Sequence, residues 1–321
     1  LGESAYAALT AATPILLLLN SIAMGATNGV AILLSQAIGA GETRRTRTIL
    51  FTSFILSIVF SLGMTGLLEG MVSPLLRFLQ VPSELYEMTC LYLRIYLIGY
   101  GAVYLYCYFA AVLRSFGDTV FQMLAMLVCT VLNGALDPLL IHGFGLQGAA
   151  AATVLSQGIC LGFMVCYLRK KALFSFHAAD WSGKELGTIC LKSLPAAFQQ
   201  SIPAISTSVL TAIVSGFGVT ALAAYGVAGK LELLLFYPAM SFQMVLTTIV
   251  GQCIGAGRRD RAWVYCKTAL LWGGGLLIIL SCGVVGLAHP LSELFVDSKA
   301  VAEVVAGYFQ VVSVGYLFNM E

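Results

Sequence analysis

Charged residues are scarce in this chain. Its 321 residues include 17 Lys or Arg and 15 Asp or Glu, so 10% are charged, whereas 59% are hydrophobic. An ordinary soluble domain carries about 25% charged residues, and this composition therefore excludes one. The net charge of +2 gives no reason to expect a nucleic-acid partner. The chain is expected to lie in a lipid bilayer.

Signatures of catalysis are also missing. There is no GxxxxGK[ST] loop for ATP, no HExxH, no nucleophile elbow and no pair of carboxylates at catalytic spacing. Nine cysteines occur singly in apolar stretches, without metal-ligand or redox spacing, so we expect buried thiols. The three histidines fall in or beside predicted loops, which disfavours a membrane enzyme acting on lipids. The sequence predicts a protein that is not an enzyme and has no cofactor.

Long apolar runs dominate what is present. About 20 predominantly apolar residues suffice to span a bilayer as a helix. Nine runs qualify, which predicts an all-α polytopic membrane protein. The runs are 5–37, 48–72, 88–113, 119–142, 146–169, 188–214, 219–250, 263–288 and 303–321.

Basic residues mark alternate connections between these runs. Lys and Arg are enriched on the cytoplasmic side of membrane proteins, so the odd-numbered connections are predicted to be cytoplasmic. The residues that carry this bias are Arg44, Arg45, Arg47, Arg114, Arg169, Lys170, Lys171, Lys184, Arg258, Arg259 and Arg261.

The chain contains an internal repeat. Residues 1–41 align with 217–257 without a gap, an offset of 216 that spans six predicted helices. Because six is even, both copies enter the membrane in the same orientation, related by an axis along the membrane normal. Extending the repeat implies one further helix before residue 1 and two beyond 321. We therefore expect twelve helices in two bundles, about nine of them in this chain.

The repeat also predicts the domain organisation. Residues 1–169 form an N-lobe, 170–187 a polar cytoplasmic linker, and 188–321 a C-lobe. Each copy carries a Gly-Ala-Gly element at a helix end, 39–41 and 255–257, followed by arginines. We expect these glycines to cap the helices and the arginines to face anionic lipid.

One polar constellation stands out inside a predicted span. Asn133 and Asp137 are four residues apart and share a helix face. Pro138 has no N–H, so the carbonyl of Gly134 loses its usual partner and a bend is expected. A carboxylate, an amide and a carbonyl suit Na⁺ or a proton. The residues alone leave open whether the pair binds an ion or is a structural pair bonded to a neighbouring helix. Asp137 lies ~8 Å from the outer helix end.

Other intramembrane polar residues carry weaker signals. Gln199 and Gln200 are predicted either to bond across helices or to line a cavity. Glu232 is a secondary candidate in the second bundle. Thr153 follows a run of small residues, which favours a role in packing. Arg94 is expected to snorkel or pack.

Several motifs resemble the multidrug and toxic compound extrusion (MATE) family over essentially the whole chain. They are LSQAIGAG with its copy VGQCIGAG, then YLRIYLIGYG, VLRSFGDT, LNGALDPLLIHGFGLQGAAAATVLSQ and SLPAAFQQS. The resemblance implies a two-lobe bundle of twelve helices around a central cavity. It also implies antiport of H⁺ or Na⁺ against cationic drugs by alternating access, in the inner (plasma) membrane, with the protein acting as a monomer.

The N-x-x-x-D-P element is similar to that of the prokaryotic DinF-like branch, whose cation site is in the N-lobe. By that resemblance Asp137 and Asn133 match the carboxylate and amide of the site. Thr153 matches its threonine if a two-residue shift is allowed, and Tyr92 matches a tyrosine of the same network. Na⁺ would then bind at Asp137 and Asn133. Helix 188–214 has no carboxylate, which favours coupling in the N-lobe.

A flippase for lipid-linked sugars is the alternative function, since related families share the fold. Such a protein would be expected to have a large basic cavity. Arg94 and Lys230 are the two intramembrane cations that the sequence predicts, which argues weakly against this alternative.

Overall fold

The structure is a computed structural model of the chain. It describes residues 3–78, 81, 83–171, 181–217, 219–286, 305 and 307–309. Nine helices follow one another in the described part, and they confirm the predicted all-α class. They are α1 (Glu3–Gly39), α2 (Thr43–Phe78), α3 (Ser83–Ile98), α4 (Tyr100–Ser115), α5 (Thr119–Phe144), α6 (Leu146–Lys170), α7 (Gly183–Ser215), α8 (Val219–Gly255) and α9 (Arg259–Gly286).

Six of the described helices are long and apolar enough to cross a membrane, namely α1, α2, α5, α6, α8 and α9; the bent pair α3–α4 adds a seventh. Helix α7 is not among them, so its composition does not confirm the predicted span at 188–214. Two internal prolines and polar residues such as Lys192 reduce its apolar character. The predicted run 303–321 lies largely outside the described residues, as does half of the predicted linker, residues 172–180.

The predicted single span at 88–113 is wrong in one respect, because it is two helices. α3 and α4 meet at Gly99 with a bend of 48°. A Cβ at Gly99 would overlap the side chain of Val154 on α6. Glycine is therefore required at the bend, where the backbone approaches its neighbour closely. By contrast α5 continues through Pro138 to Phe144 as one helix, and a bend there stays a prediction.

The bent pair forms the buried centre of the first helices. Three tyrosines attach it to α1 and α2 through hydrogen bonds: Tyr96 donates to Asn20 Oδ1 at 3.3 Å, Tyr100 to the Leu19 carbonyl at 3.0 Å, and Tyr108 to the Leu50 carbonyl at 2.9 Å. Buried phenols need such partners, and each bond fixes the rotation of α3 or α4 against a neighbour.

Both Gly-Ala-Gly elements end their helices as predicted. Gly41 and Gly257 have φ of 71° and 70°, in the left-handed region that favours glycine. The amide of Glu42 bonds the Ala37 carbonyl at 3.1 Å, and that of Arg258 bonds the Cys253 carbonyl at 2.9 Å. This six-to-one bond is the Schellman cap. The two copies of the repeat therefore have the same local geometry.

Gly41→Ala is expected to destabilise the protein by about 1 kcal/mol, because an L-residue is strained at positive φ. No other atom lies within 4 Å of a Cβ at this position, so the cost is in the backbone alone. The thermal unfolding midpoint in detergent measures it. Gly162→Ala on α6 is the control, since a Cβ there also meets open space in an ordinary helix; it should be neutral or slightly stabilising. Equal midpoints for the two variants would contradict the cap.

A polar clamp joins the ends of α5 and α6 that are predicted to be cytoplasmic. Asp118 accepts hydrogen bonds from Lys171 Nζ at 2.7 Å and Tyr167 Oη at 2.6 Å. The ring of Tyr167 is stacked on Phe121, with centroids 3.6 Å apart. The hydrogen bonds from Lys171 and then Tyr167 hold the pKa of Asp118 below its usual value. The clamp fixes the α5–α6 hairpin at this end.

Asp118→Asn should lower stability at pH 7, because the clamp requires the carboxylate. A depressed pKa stabilises the fold above the unfolded-state pKa, about 3.9, and that contribution is lost as pH falls through the folded-state pKa. Thermal unfolding midpoints of parent and variant should therefore differ at pH 7; the difference should begin to shrink near pH 4 and disappear only below the folded-state pKa. A difference that persists unchanged in acid would show that the effect is not the charge of Asp118.

The chain divides into two compact units, residues 1–204 and 205–321. In the first unit α4 packs on α1, α2, α5 and α6; in the second α8 packs on α9. The division falls within α7. The lobe boundaries given above stay a prediction.

Candidate functional site

The polar face of α5 meets α6 through a direct hydrogen bond. Asn133 Nδ2 donates to Thr153 Oγ1 at 3.4 Å, and Thr153 Oγ1 donates its own proton to the Ala149 carbonyl at 3.1 Å. The Thr153 hydroxyl therefore accepts a hydrogen bond from the amide nitrogen of Asn133 while it donates one to the Ala149 carbonyl. The amide oxygen of Asn133 takes no part in either bond. Two residues proposed from different helices are in contact.

Asp137 lies one helical turn from Asn133 and is half-buried. Its Oδ1 atom is enclosed and has no hydrogen-bond partner among the described residues. An enclosed ionised oxygen is costly unless a proton or a cation compensates its charge. A proton or a cation at this oxygen would remove that cost.

Tyr92 is the fourth predicted residue. It lies on α3, is 5% exposed, and is within electrostatic range of the Asp137 carboxylate. At such burial electrostatic interactions are stronger than in water. The structure thus brings together Asn133 and Thr153 by contact, and Asp137 and Tyr92 by proximity.

The residues fit a hard cation as a transported ion. Carboxylate, amide and hydroxyl oxygens from Asp137, Asn133 and Thr153 are the ligands that Na⁺ and similar ions prefer. Among the described residues no group of three or more His, Cys, Asp or Glu could hold a metal ion.

A second carboxylate has a partner in the second unit. Tyr308 Oη donates to Glu232 Oε1 at 2.7 Å. By the offset of 216, Tyr308 is the repeat counterpart of Tyr92. Each copy of the repeat therefore places its equivalent tyrosine near a carboxylate, Asp137 in the first unit and Glu232 in the second. The side chain of Lys230 lies outside the described residues.

The remaining candidate residues lie on other helices than Asn133 and Asp137. On α7, Gln199 is exposed and Gln200 half-buried; among the described residues neither has a hydrogen bond to α5. Arg94, predicted to snorkel or pack, forms an ion pair with Glu69 of α2 at 3.4 Å. Both side chains are at least 36% exposed.

Sequence reasoning missed two polar residues near the site. Asn20 accepts the hydroxyl of Tyr96, one turn from Tyr92. Gln157, one turn from Thr153, has an enclosed Oε1 without a partner among the described residues. An amide inside an apolar run is the signal that could have identified both.

These features define a polytopic helical membrane protein with a polar intramembrane site, as in secondary transporters. A profile of the MatE family matches residues 1–139 and 195–320. The chain therefore belongs to the MatE family.

Relatives and solved structures agree with this assignment. The chain is 29% identical to the probable multidrug resistance protein YoeA of Bacillus subtilis, with 93% of this chain and 67% of that protein covered. It is 28% identical to an FAD transporter of Shewanella oneidensis, covering 98% of this chain and 72% of that protein. The chain thus spans roughly two thirds of the length of these relatives.

Two solved structures show the same fold. The Vibrio cholerae MATE transporter VcmN, solved as a mutant, has a TM-score of 0.94 at 22% identity, with 98% of this chain and 73% of that one covered. A MOP superfamily transporter of Pyrococcus furiosus has a TM-score of 0.90 at 23% identity, covering 99% and 73%. The predicted MATE-like fold is confirmed.

Proposed function

We propose that this protein is a secondary active efflux antiporter of the inner (plasma) membrane. It exports small organic cations in exchange for H⁺ or Na⁺, by alternating access. The observation that supports this most is the enclosed oxygen of Asp137 beside the Asn133–Thr153 bond. A carboxylate that requires a proton or cation is what an ion-coupled transporter needs inside the membrane.

Ion binding is coupled to the conformational change because the charged and the neutral form of Asp137 differ in stability between the two conformations. An ion shifts a conformational equilibrium only by its differential affinity for the two states. Asp137 would bind its ion more tightly where its oxygen is enclosed, and release it where water reaches the carboxylate. Glu232 and its tyrosine form a secondary candidate for the same role, and Gln199 and Gln200 are candidates for lining the pathway.

Organic cations are the substrate class that the site favours. In its ionised state, after the coupling ion has left, the carboxylate of Asp137 attracts positive charge, and aromatic side chains can stack on flat cations. A dinucleotide such as FAD is the second candidate, because the Shewanella oneidensis relative is named for it. FAD carries phosphate charges, which Asp137 would repel in its ionised state.

The remaining parts of the proposal are those that the sequence predicts. The protein acts as a monomer within lipid, without a nucleic-acid partner, a cofactor or an enzymatic reaction. The relatives named above are a drug-resistance protein and an FAD transporter. They do not favour the flippase for lipid-linked sugars.

Transport into or out of liposomes tests the proposal. The protein is reconstituted, and a pH gradient and a Na⁺ gradient are imposed separately with either a fluorescent organic cation or FAD as the probe. The cation is expected to move under at least one gradient, and FAD under neither. If FAD alone moves, the substrate is a dinucleotide and not an organic cation. Movement of neither probe would contradict the proposed function.

A further inference from the structure

Two cysteines meet across the α5–α6 hairpin. A hydrogen bond joins the side chains of Cys129 on α5 and Cys160 on α6, and both are buried, at 8% and 1% exposure. The side chain of Tyr106 on α4 is hydrogen-bonded to the same Cys129. We call Cys129 and Cys160 the thiol pair. They are 31 residues apart along the chain, so their spacing in the sequence gives no sign of a joint site.

The register of the hairpin gives the same pairing independently. The bond between Asn133 and Thr153 lies on one side of the thiol pair, and the stack of Tyr167 on Phe121 lies on the other. Along α5 the thiol pair is four residues from that bond, and along α6 it is seven residues from it. Both steps run toward the clamp at Asp118. The antiparallel packing of α5 and α6 therefore holds the two thiols together, next to the candidate ion site.

The thiol pair lies near the middle of its membrane span. Cys129 is ten residues after Thr119, the first residue of α5, and fifteen before Phe144, the last. Ten residues of helix extend ~15 Å, about half the thickness of the hydrocarbon core. A net charge is costly at this depth. A ligand that is held here should therefore form a neutral complex with the two thiols.

Two thiols suit a soft divalent ion that takes two ligands in a line. Thiolates select soft metals, and metal binding displaces the thiol protons. Mercury(II) enters the bilayer as neutral HgCl₂, and the exchange HgCl₂ + 2 RSH → Hg(SR)₂ + 2 HCl leaves a neutral bis-thiolate. A univalent ion such as Cu⁺ would leave a net negative charge in the same place. Zn²⁺ takes four ligands in structural sites, whereas among the described residues no group of three or more His, Cys, Asp or Glu could hold a metal ion.

We propose that Cys129 and Cys160 form a two-coordinate site for a soft divalent metal ion of the Hg²⁺ class. Tyr106 is a positioning residue, because its hydrogen bond to Cys129 fixes the orientation of that ligand, as hydrogen bonds around metal sites generally do. The bound ion would bridge α5 and α6, the two helices that carry Asn133 and Thr153. The proposal does not rest on the proposed function, since it concerns binding by the hairpin alone.

Resistance to a competing monothiol tests the site. Reduced, purified protein is treated with equimolar HgCl₂, washed with a modest excess of glutathione and weighed by intact mass spectrometry. An isolated cysteine loses the ion or keeps it with glutathione attached, whereas a pair keeps it alone, with a mass gain of one mercury less two hydrogens. The parent should show that gain, and Cys129→Ala and Cys160→Ala should not. Cys166→Ala removes an exposed thiol of the same α6 and is the matched control, which should behave as the parent.

A parent protein that shows no such gain, or alanine variants that show it as fully as the parent, would overturn the site. Cys129→Ser excludes a folding defect as the cause, because serine keeps the shape and the hydrogen-bonding group but is a poor ligand for a soft metal. It should lose the ion while its thermal unfolding midpoint stays close to that of the parent. Tyr106→Phe keeps both ligands and should release mercury to glutathione several-fold faster than the parent. Release at the parent rate would overturn the role given to Tyr106.

Discussion

Asp137→Asn is expected to abolish gradient-driven efflux while leaving the protein folded. The amide occupies nearly the same space as the carboxylate and carries no charge, so it removes the cost of an enclosed ionised oxygen. It can neither take up a proton nor neutralise a cation. The substitution therefore fixes the site in its neutral form, and an ion gradient no longer acts on it. Efflux under separate pH and Na⁺ gradients measures the loss, and the thermal unfolding midpoint checks the fold.

Two further variants test whether the loss of efflux is specific to the carboxylate of Asp137. Asn133→Ala removes the bond to Thr153 but keeps the carboxylate, so it should reduce efflux less than Asp137→Asn. Asp260→Asn removes an exposed carboxylate in the first turn of α9 and should leave efflux at the parent rate. Parent-rate efflux by Asp137→Asn under both gradients would show that the Asn133–Asp137 pair is structural. Glu232 would then be the next carboxylate to test.

Features that depend on neighbouring residues along the chain could be predicted from the sequence. The caps at Gly41 and Gly257 follow from glycine at a helix end, and the repeat predicted that both would have the same geometry. Asn133 and Asp137 share a face because helical periodicity places residues i and i+4 together. This shared face depends only on α5 being a helix, and not on which other helices contact it.

Features that depend on which helices meet could not be predicted in this way. The glycine at the α3–α4 bend is required by Val154, which is 55 residues further along the chain and on another helix. The hydrogen bond of Asn20 with Tyr96 and the ion pair of Arg94 with Glu69 likewise join distant positions. The polarity of each residue was visible, but its partner was set by tertiary packing. For the same reason the family resemblance, rather than periodicity, suggested Thr153 and Tyr92.

Gly148→Val is expected to damage the site more than any other substitution outside it. Gly148 lies in the first turn of α6, where a Cβ would overlap the carbonyl oxygen of Leu140 and lie 2.7 Å from the amide nitrogen of Ile141 on α5. The turn between the helices is a single residue, Gly145, with φ of 60°, so the chain has little freedom to relax. The added side chain must push the helices apart at the hairpin end, five residues before Thr153 on α6 and seven residues after Asn133 on α5.

The expected result is a loss of stability of about 1–3 kcal/mol, the usual cost of overpacking, together with a loss of efflux. Gly162→Val is the matched control on the same helix, because a Cβ there meets no other atom within 4 Å; it should change stability by less and retain efflux. The contact of Asn133 with Thr153 is measured separately, through a double-mutant cycle on Asn133→Ala and Thr153→Val. The coupling between those two residues should disappear in the Gly148→Val protein, because widened helices can no longer form the bond. If the coupling persists and the midpoint matches that of Gly162→Val, the close approach of α5 and α6 at Gly148 does not position the ion site.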